Sequence, residues 1–384
     1  MAPIRILNVV GRMDRGGIET LIMNVYRHLD RDRVQFDFLA HYGKENADYN
    51  EEIRALGGRI YEMPVIKTTE KTHYEKFFVY RRALKRFFLE HPEYRVVHGH
   101  MTNTAAIYMP IARKMGRVTC CIAHSHLTET QKTVSPLAAL GTDILRLPIR
   151  WVATDYFSCS KAASLWLFRQ EDVDAGRVTV IKNGVDVDRF CYDEELRAAV
   201  RRELAVEDKT VIGHVGRFFA QKNHTQLLDI FAAYHKAHPD SVLLLVGEGE
   251  LQEAARQKAY ALGLADSVQF LGLRPDVSRL LQAFDLFLMP SLYEGMPLVG
   301  VEAQAAGLPL VVSDTVTPEL DITGNVRFVP LSYTPEAWAA VMDGVLAGFE
   351  RQDTTATVRQ AGYDIETTAA FLQEFYLKKH GENQ

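Results

Sequence analysis

The stretch from Val277 to Asp314 constrains the fold of this chain more than any other part of the sequence. Apolar residues at helical spacing lead into a short apolar run, residues 285–290, which is typical of a buried strand. A polar loop and a short apolar helix follow, and Gly307 ends that helix. Residues 310–313 form another apolar run. Strand, loop, helix and strand make a βαβ unit, which predicts parallel strands joined by a right-handed crossover.

The loop of this unit indicates an anion site. Pro297 suits the first turn of the helix, where the missing N–H of proline costs nothing. The backbone amides from Gly295 onward, and above all those of Met296, Leu298 and Val299, then point out of the helix N-terminus. Such amides favour a phosphate or another anion.

Two carboxylates flank these amides. Glu294 lies at the carboxyl end of a strand, where open α/β sheets bind ligands, and Glu302 lies inside the apolar helix. Because carboxylates would repel an anion, they indicate a second kind of ligand group such as sugar hydroxyls, for which they are good acceptors.

The segment from Glu294 to Glu302 matches the E-x7-E signature of glycosyltransferase family 4, and the flanking residues AFDLFLMPSLYEG and EAQAAGLPLVVSD match as well. The alternative is an ordinary buried βα turn with one capping carboxylate and one on the helix surface. The chain resembles the family, whose members are retaining, metal-independent transferases. The resemblance implies an α/β protein of the GT-B fold, with two Rossmann-like α/β/α domains that face each other across a cleft.

Length and composition agree with two soluble domains. The chain has 384 residues, of which 47% are hydrophobic and 24% charged. A net charge of −5 argues against a dedicated nucleic-acid-binding protein. The four cysteines lack metal-ligand spacing and indicate buried free thiols in a reducing compartment. No signal peptide or apolar run of membrane-spanning length is recognisable, so the expected location is the cytoplasm or the inner face of the membrane.

A glycine loop follows the first predicted strand, residues 4–10. It contains Gly16 and Gly17 directly before a helix, where the backbone can approach a ligand closely. The loop is not G-x-G-x-x-G and lacks the lysine of a P-loop, so a dinucleotide or P-loop site is disfavoured. The resemblance places such a loop near the donor phosphate and the acceptor; a plain βα turn is the alternative.

Residues 75–90 predict a basic amphipathic helix, in which phenylalanines alternate with four cations: Arg81, Arg82, Lys85 and Arg86. Such a helix can lie on an anionic membrane, where lipid-linked acceptors would be found. An ordinary surface helix with a solvated basic face is the alternative.

Residues 118–126 predict a strand that ends in His124 and His126. We expect the two side chains to point to opposite faces, so that only one can face a ligand. The resemblance places a histidine next to the donor sugar, and His124 is the better match; a buried structural histidine is the alternative. Zinc is disfavoured, because no third ligand lies at useful spacing.

Two D-x-D strings, Asp172 to Asp174 and Asp186 to Asp188, imitate the metal motif of another transferase class. Neither follows a buried strand in the manner of that motif, and the second resembles the linker between the domains of the family. We therefore expect no metal site in the protein.

The second half of the chain opens with a strand, residues 210–216, that ends at Gly216 and presents Arg217 and Lys222. A guanidinium fork and a mobile ammonium suit phosphate oxygens. The resemblance assigns this pair to the diphosphate of the donor. Gly247 ends another buried strand in a glycine turn.

Residues 268–276 resemble the family segment on the nucleobase side, where backbone groups of Leu273 and Arg274 would hold the base. The predicted domains are residues 1–187, which bind the acceptor, and residues 188–364, which bind the nucleotide sugar. A helix over residues 361–377 is expected to cross back, so that residues 365–384 complete the first domain.

The resemblance implies a hexosyl- or N-acetylhexosaminyltransferase of bacterial capsule or exopolysaccharide synthesis, as the opening GRMDRGGIET and the HSH segment suggest. We expect a UDP-sugar donor, with GDP second, a saccharide or lipid-linked saccharide acceptor, and no cofactor. Glu294 would hold donor-sugar hydroxyls, His124 would contact the same sugar, and Glu302 would hold ribose hydroxyls. The alternatives are a sugar-nucleotide 2-epimerase, a phosphorolytic enzyme and a non-catalytic sugar-nucleotide-binding subunit.

Overall fold

The computed structural model describes residues 2–14, 16–41, 47–63, 73–126 and 148–382. The chain forms two compact units. The N-terminal unit consists of Met1–Gly184 together with Ile365–Gln384, and the C-terminal unit consists of Val185–Asp364. The boundary expected from the sequence lies after residue 187, and the division of acceptor and donor binding between the two parts stays a prediction.

Parallel strands form the sheet of the N-terminal unit, in the order β3-β2-β1-β4-β5-β6-β7. The strands are β1 (Ile4–Val10), β2 (Val34–Ala40), β3 (Ile60–Glu62), β4 (Val96–Gly99), β5 (Cys120–Ser125), β6 (Asp155–Ser158) and β7 (Val178–Val180). The described helices of this unit are α1 (Gly17–His28), α2 (Asn50–Ala55), α3 (His73–Glu90), α4 (Thr102–Met115), α5 (Ile149–Val152), α6 (Lys161–Leu167), α7 (Gln170–Asp174) and, from the end of the chain, α16 (Ile365–Gly381).

Both faces of this sheet are covered, as the alternation along β1 shows. Successive residues of a strand point to opposite faces. Ile6 and Val10 pack into a core with α1 and α16. Leu7 and Val9 pack into a second core, to which α3 and α4 contribute. The unit is therefore a three-layer α/β/α structure.

Parallel strands also form the sheet of the C-terminal unit, in the order β10-β9-β8-β11-β12-β13. The strands are β8 (Thr210–Val215), β9 (Ser241–Val246), β10 (Val268–Gly272), β11 (Leu286–Met289), β12 (Leu310–Ser313) and β13 (Val326–Val329). The helices are α8 (Val187–Phe190), α9 (Glu194–Glu203), α10 (His224–Ala237), α11 (Gln252–Ala261), α12 (Val277–Ala283), α13 (Leu298–Ala305), α14 (Pro335–Leu346) and α15 (Thr355–Gln360).

The βαβ unit predicted from residues 277–314 is present as α12, β11, α13 and β12. Gly307 ends α13 in the left-handed region, at φ +73. A Cβ there would lie 2.2 Å from the carbonyl oxygen of Gln352, so no other residue fits. Adjacent residues Val211 and Ile212 of β8 enter different cores, which makes this unit an α/β/α structure as well. The expected α/β fold class is confirmed.

The predicted helix over residues 361–377 is wrong at its start, because α16 begins at Ile365. Gly362 is left-handed, at φ +82, and Asp364 pairs with Val185 in a β-bridge. These two features break the helical path between α15 and α16. From Ile365 onward, α16 packs against α1 and against β1, β2 and β4 of the N-terminal unit.

No helix in the described part of the chain is long and apolar enough to cross a membrane. The four cysteines are free thiols. Cys120 and Cys121 are buried as expected, whereas Cys159 and Cys191 are partly exposed.

Candidate active site

The loops that follow β8 and β11 lie next to each other at the carboxyl edge of the C-terminal sheet. From β8 the chain passes to β9 on one side, whereas β11 lies on the other side, so the strand order reverses between β8 and β11. Open α/β sheets bind ligands at such a switch point. Most of the candidate residues of this unit lie in these two loops.

Hydrogen bonds join the two loops. The N–H of Leu292 donates to the carbonyl oxygen of Gln221 at 2.8 Å, and Nε2 of Gln221 donates to the carbonyl oxygen of Tyr293 at 3.0 Å. Nδ2 of Asn223 donates to the carbonyl oxygen of Pro290 at 3.1 Å. The two loops therefore form one continuous surface.

Lys222 and Glu294 form an ion pair at the centre of this surface. Nζ of Lys222 lies 2.5 Å from Oε1 of Glu294, and the two side chains are only 16% and 9% exposed. Nε2 of Gln221 donates to the other carboxylate oxygen at 3.2 Å. From the sequence, the lysine and the glutamate were assigned to different parts of a ligand. Gln221 was not identified as a site residue, although it directly precedes Lys222 in a polar loop after a buried strand, and that position could have indicated it.

Arg217 is exposed, and its guanidinium lies 5.0 Å from the ring centroid of Phe219. No carboxylate among the described residues pairs with it. Beside the neutralised pair of Lys222 and Glu294, Arg217 therefore supplies the uncompensated positive charge of this site.

Gly216 and Gly247 bring the loops after β8 and β9 into contact. Gly247 is left-handed, at φ +133, and a Cβ there would lie 2.2 Å from the carbonyl oxygen of Gly216. The N–H of Gly216 donates to Val246 at 2.9 Å, and the N–H of Gly247 donates to Gly272 at 2.8 Å. These hydrogen bonds join the carboxyl ends of β8, β9 and β10. The close approach of the two loops is possible because neither glycine has a side chain.

Leu273 and Arg274 follow β10 at the same edge of the sheet. The side chain of Leu273 is 59% exposed. The guanidinium of Arg274 is held by Asp276 through hydrogen bonds of 2.8 Å and 2.7 Å. This bidentate bond joins the side chains on either side of Pro275, in the segment whose backbone the sequence assigned to the nucleobase.

The N-terminus of α13 lies beside Glu294. Helix α13 begins at Leu298, and Pro297 is its N-cap residue with ψ 111, so the prediction that Pro297 lies in the first turn was wrong by one position. An extended ψ suits a cap residue, whose carbonyl starts the helix. That carbonyl accepts from the N–H of Gly300 at 2.9 Å. The N–H groups of Gly295, Met296, Leu298 and Val299 have no acceptor among the described residues.

Glu302 lies in the second turn of α13, and no hydrogen bond or ion pair with a described residue holds its carboxylate. Burial raises the pKa of Glu302 to about 7, and the positive charge of Arg189 opposes this effect only in part. The protonated form of this carboxyl group is therefore favoured more than that of an exposed glutamate.

Gly16 and Gly17 lie at the start of α1 in the N-terminal unit, where Gly16 is the N-cap residue. A Cβ on Gly17 would meet no atom within 4 Å, whereas a Cβ on Gly16 would lie 2.3 Å from the carboxylate of Glu19. The glycines lie at the carboxyl edge of their own sheet, and their ligand stays a prediction.

Four histidines lie on one face of the N-terminal sheet, and we call them the histidine array: His98, His100, His124 and His126. The expectation that His124 and His126 point to opposite faces was wrong, because residues two apart in a strand share a face. Their ring centroids are 4.0 Å apart. His124 is only 1% exposed, whereas His126 is partly exposed.

The sequence missed His98 and His100, although the H-x-H pattern of β4 repeats that of β5. The parallel neighbours β4 and β5 bring the two patterns together. The argument that no third ligand lies near His124 was therefore wrong, since one nitrogen each of His98, His100 and His124 fall within 4.8 Å of one another. The absence of a metal site stays a prediction.

The carboxylates of the two D-x-D strings have structural partners. Asp186 is the N-cap residue of α8, and its Oδ1 accepts from the N–H of Arg189 at 3.1 Å. Asp172 forms an ion pair of 2.6 Å with Arg177.

The chain matches two family models over most of its length. The family model described as glycosyl transferases group 1 matches residues 197–357, and the model of glycosyltransferase family 4 matches residues 15–189. EpsF of Bacillus subtilis (strain 168), a glycosyltransferase by its name, is 34% identical over 97% of this chain and 96% of its own length. The UDP-Gal:alpha-D-GlcNAc-diphosphoundecaprenol alpha-1,3-galactosyltransferase of Escherichia coli is 30% identical over 59% of this chain and 59% of its own length.

Solved structures resemble the whole chain. Anabaena HepE in complex with UDP has a TM-score of 0.74 at 19% identity and covers 98% of this chain and 100% of its own. WaaG, a glycosyltransferase involved in lipopolysaccharide biosynthesis, has a TM-score of 0.67 at 16% identity and covers 96% of this chain and 99% of its own. These likenesses confirm the GT-B fold.

Proposed function

Because the chain belongs to glycosyltransferase family 4, and is thereby a glycosyltransferase, we propose that it transfers a sugar from a UDP-sugar to a saccharide or lipid-linked saccharide. The observation that carries this proposal is the set of groups at the switch point between β8 and β11. It combines the exposed Arg217, the paired Lys222 and Glu294, and the amides before α13. We further propose that transfer proceeds with retention and without a metal ion.

The cations and amides act on the leaving group. Cleavage of the bond between sugar and diphosphate develops negative charge on the diphosphate. Arg217 and Lys222 meet this charge, together with the N–H groups from Gly295 to Val299. Fixed cations and amide dipoles lower such a barrier because they need no reorganisation at the moment of reaction. They occupy the role that a divalent cation has in metal-dependent transferases.

The ion pair gives Lys222 and Glu294 a linked role. In the structure each charge neutralises the other in a site that is mostly shielded from water. A diphosphate that engages Lys222 removes the partner of Glu294, and the carboxylate is then free to accept hydrogen bonds from the donor sugar. Gln221, which is bonded to both the backbone and the carboxylate, keeps Glu294 in place.

Glu302 and the segment after β10 complete the nucleotide site in this proposal. The protonated carboxyl group of Glu302 can donate as well as accept, and both abilities suit a ribose diol. Backbone groups of Leu273 and Arg274 hold the base, with Arg274 anchored to Asp276. UDP is supported as the nucleotide by the names of the galactosyltransferase and of the HepE complex.

A lipid-linked acceptor is supported by the surface of α3. This helix buries Tyr80, Leu84 and Phe88 in the N-terminal unit and leaves Phe78 and Leu89 exposed by 53% and 59%. The guanidinium of Arg81 lies 5.4 Å from the ring centroid of Phe77, which is also exposed. Such a surface fits the inner face of an anionic membrane. We place the enzyme in the cytoplasm, in the synthesis of a surface polysaccharide. Flotation with anionic vesicles but not with neutral ones tests the membrane contact.

An assay of nucleotide binding and transfer tests the main proposal. We expect UDP to raise the unfolding temperature by mass action, more than GDP, ADP, CMP or NAD does, and EDTA to leave the shift unchanged. Radiolabelled UDP-sugars with membrane extract should yield labelled saccharide. If UDP raises the unfolding temperature only when a divalent metal is present, the proposed metal independence is wrong. UDP binding without transfer would favour a non-catalytic binding subunit. Neither an epimerase nor a phosphorolytic enzyme is favoured by the comparisons.

A further inference from the structure

The histidine array contains hydrogen bonds that run across the strands. Nδ1 of His100 lies 3.0 Å from Nε2 of His126, and Nε2 of His98 lies 3.1 Å from Nδ1 of His124. Along each strand the rings stack, and the centroids of His98 and His100 are 4.2 Å apart. The array therefore consists of two parallel hydrogen-bonded pairs, one deeper in the sheet and one nearer its carboxyl edge.

The outer pair has an anchor on β1. Oδ1 of Asn8 lies 3.3 Å from Nε2 of His100, and both side chains are buried, at 1% and 8% exposure. The chain of contacts thus runs from Asn8 through His100 to His126, which is partly exposed directly after β5. Nδ1 of His126 has no partner in the part of the chain that the structure describes. His126 is therefore the outward end of this chain.

Proton counting assigns a direction to these bonds. Burial lowers the pKa of His126 to about 3 and that of His100 well below its usual range, so both rings are neutral. A neutral imidazole has one N–H and one lone pair. The amide oxygen of Asn8 only accepts, so Nε2 of His100 carries the proton and Nδ1 of His100 accepts. Nε2 of His126 then donates, and Nδ1 of His126 is left with a free lone pair.

The geometry favours hydrogen bonds over a metal ion in the array. In a tetrahedral zinc site two ligand nitrogens are about 3.3 Å apart, and both lone pairs point at the ion and not at each other. The observed separations are 3.0 Å and 3.1 Å. The ring planes of His98 and His124 lie within 8° of each other, as expected for an in-plane N–H···N bond.

The outer pair lies where a ligand of the N-terminal unit would bind. The strand order of this sheet reverses between β1 and β4, and His100 directly follows β4 at that point. His126 follows β5, the next strand. Direct contact by His124 would need its Nε2, which is buried without a partner among the described residues.

We propose that Asn8 and His100 are positioning residues that hold His126 in one neutral tautomer, with Nδ1 presented as a hydrogen-bond acceptor to a hydroxyl group of the sugar substrate. A hydroxyl donor matches this lone pair, whereas an anion would be repelled by it. The inference rests on the proposed glycosyl transfer, since it takes a sugar as the ligand. It assigns the contact to His126 instead of His124.

Asn8→Leu and Asn8→Asp together test the positioning role. Among the described residues, the titratable groups that face His126 are the other three histidines, and no described charged side chain shifts its pKa. Asn8→Leu removes the acceptor that keeps the proton on Nε2 of His100, so His126 should populate both tautomers, and kcat/KM at pH 7 should fall about 10-fold with little change in UDP affinity. Asn8→Asp keeps an acceptor at this position, so it should restore kcat/KM at pH 7.

Tyr376→Phe is the matched control. The hydroxyl of Tyr376 lies 2.7 Å from Nδ1 of His98 and anchors the inner pair as Asn8 anchors the outer pair. Loss of this buried hydrogen bond should lower the unfolding temperature, yet leave kcat/KM at pH 7 unchanged. An equal loss of kcat/KM in Asn8→Leu and Tyr376→Phe, or no recovery in Asn8→Asp, would overturn the proposal, because these residues would then act only through the general stability of the array.

A direct reading of the tautomer does not depend on whether a variant folds. In a ¹⁵N spectrum of the uniformly labelled native protein, the His126 signals, identified by their loss in H126Q, should show Nε2 protonated and Nδ1 unprotonated. The opposite tautomer, or a stoichiometric metal ion lost in H100Q, would overturn the proposal. UDP binding and transfer by the native protein are measured separately. Their failure would refute the proposed function while the spectrum still decides the tautomer.

Discussion

Replacement of Glu302 by glutamine should stabilise the ligand-free protein, and only above the pH at which the glutamate ionises. Burial raises the pKa of Glu302 from 4.5 to about 7. The folded protein therefore binds this proton more tightly than the unfolded chain does. The free energy of unfolding should therefore decrease as pH rises from about 4.5 to about 7, and it should stay constant above that pH.

The size of the effect follows from the shift. One pKa unit corresponds to about 1.4 kcal/mol, so ionised Glu302 costs the folded state about 2–3 kcal/mol at pH 8. Glu302→Gln removes that cost because an amide does not ionise. For a unit the size of Val185–Asp364, this stabilisation should raise Tm by about 5–10 °C at pH 8, and by almost nothing near pH 4.5.

Thermal unfolding of the native protein, Glu302→Gln and a control at both pH values measures this difference. Glu350 is exposed in the same unit, so Glu350→Gln removes a carboxylate without removing a buried one. Equal stabilisation of Glu302→Gln at pH 4.5 and pH 8 would refute the reasoning, since the gain would then not come from ionisation. No stabilisation at either pH would show that the carboxyl group is well solvated.

Four other perturbations address different parts of the chain. Arg217→Ala should weaken UDP binding about 10- to 100-fold by calorimetry, whereas Arg256→Ala, which also removes an exposed arginine over a phenylalanine ring, should leave it unchanged. Glu294→Ala should reduce transfer at least about 100-fold in the radiolabel assay but retain UDP affinity, because its lysine partner is freed for the diphosphate; near-normal turnover would remove the glutamate from the site. Arg351→Leu should lower the free energy of unfolding by about 3 kcal/mol in urea, since the guanidinium donates to four carbonyl oxygens, and the exposed Arg327→Leu should have little effect. Neutral burial of the histidine array costs stability once pH falls below the usual histidine value of 6.5, so the N-terminal unit should lose about 4–6 kcal/mol by pH 5.5; a stability that is flat from pH 7 to 5.5 would contradict this.

The sequence predicted most of the fold because its strands are local and strongly apolar. The strands at 4–10 and 310–313 have the predicted bounds. Parallel strands are buried on both faces, so they appear as continuous apolar runs that need no knowledge of the rest of the chain. The break before Ile365 escaped prediction, because it depends on the bridge between Asp364 and Val185, which lie far apart in sequence.

The candidate site was predictable in its members but not in their pairing. Arg217, Lys222 and Glu294 were recognised from short motifs, each attached to the end of one strand. Which of the cations meets the carboxylate depends on the distance between two loops, and the pairing of Lys222 with Glu294 is visible only in three dimensions. The histidine array was missed for the same reason, since β4 and β5 each contribute half of it.

The partly buried charges of the C-terminal site obey the same physical rule. Ionised Glu302 lacks a described partner, and Lys222 and Glu294 satisfy each other in the structure. Burial without a ligand is costly for the first group, whereas the second pair must separate before either charge can hold a ligand. In the proposed function a nucleotide sugar would supply hydroxyls to both carboxylates and phosphate oxygens to Lys222, so it would compensate each group at once. Such a site should therefore favour the intact donor over its fragments, and the affinity for a UDP-sugar should exceed that for UDP wherever the sugar hydroxyls reach Glu294.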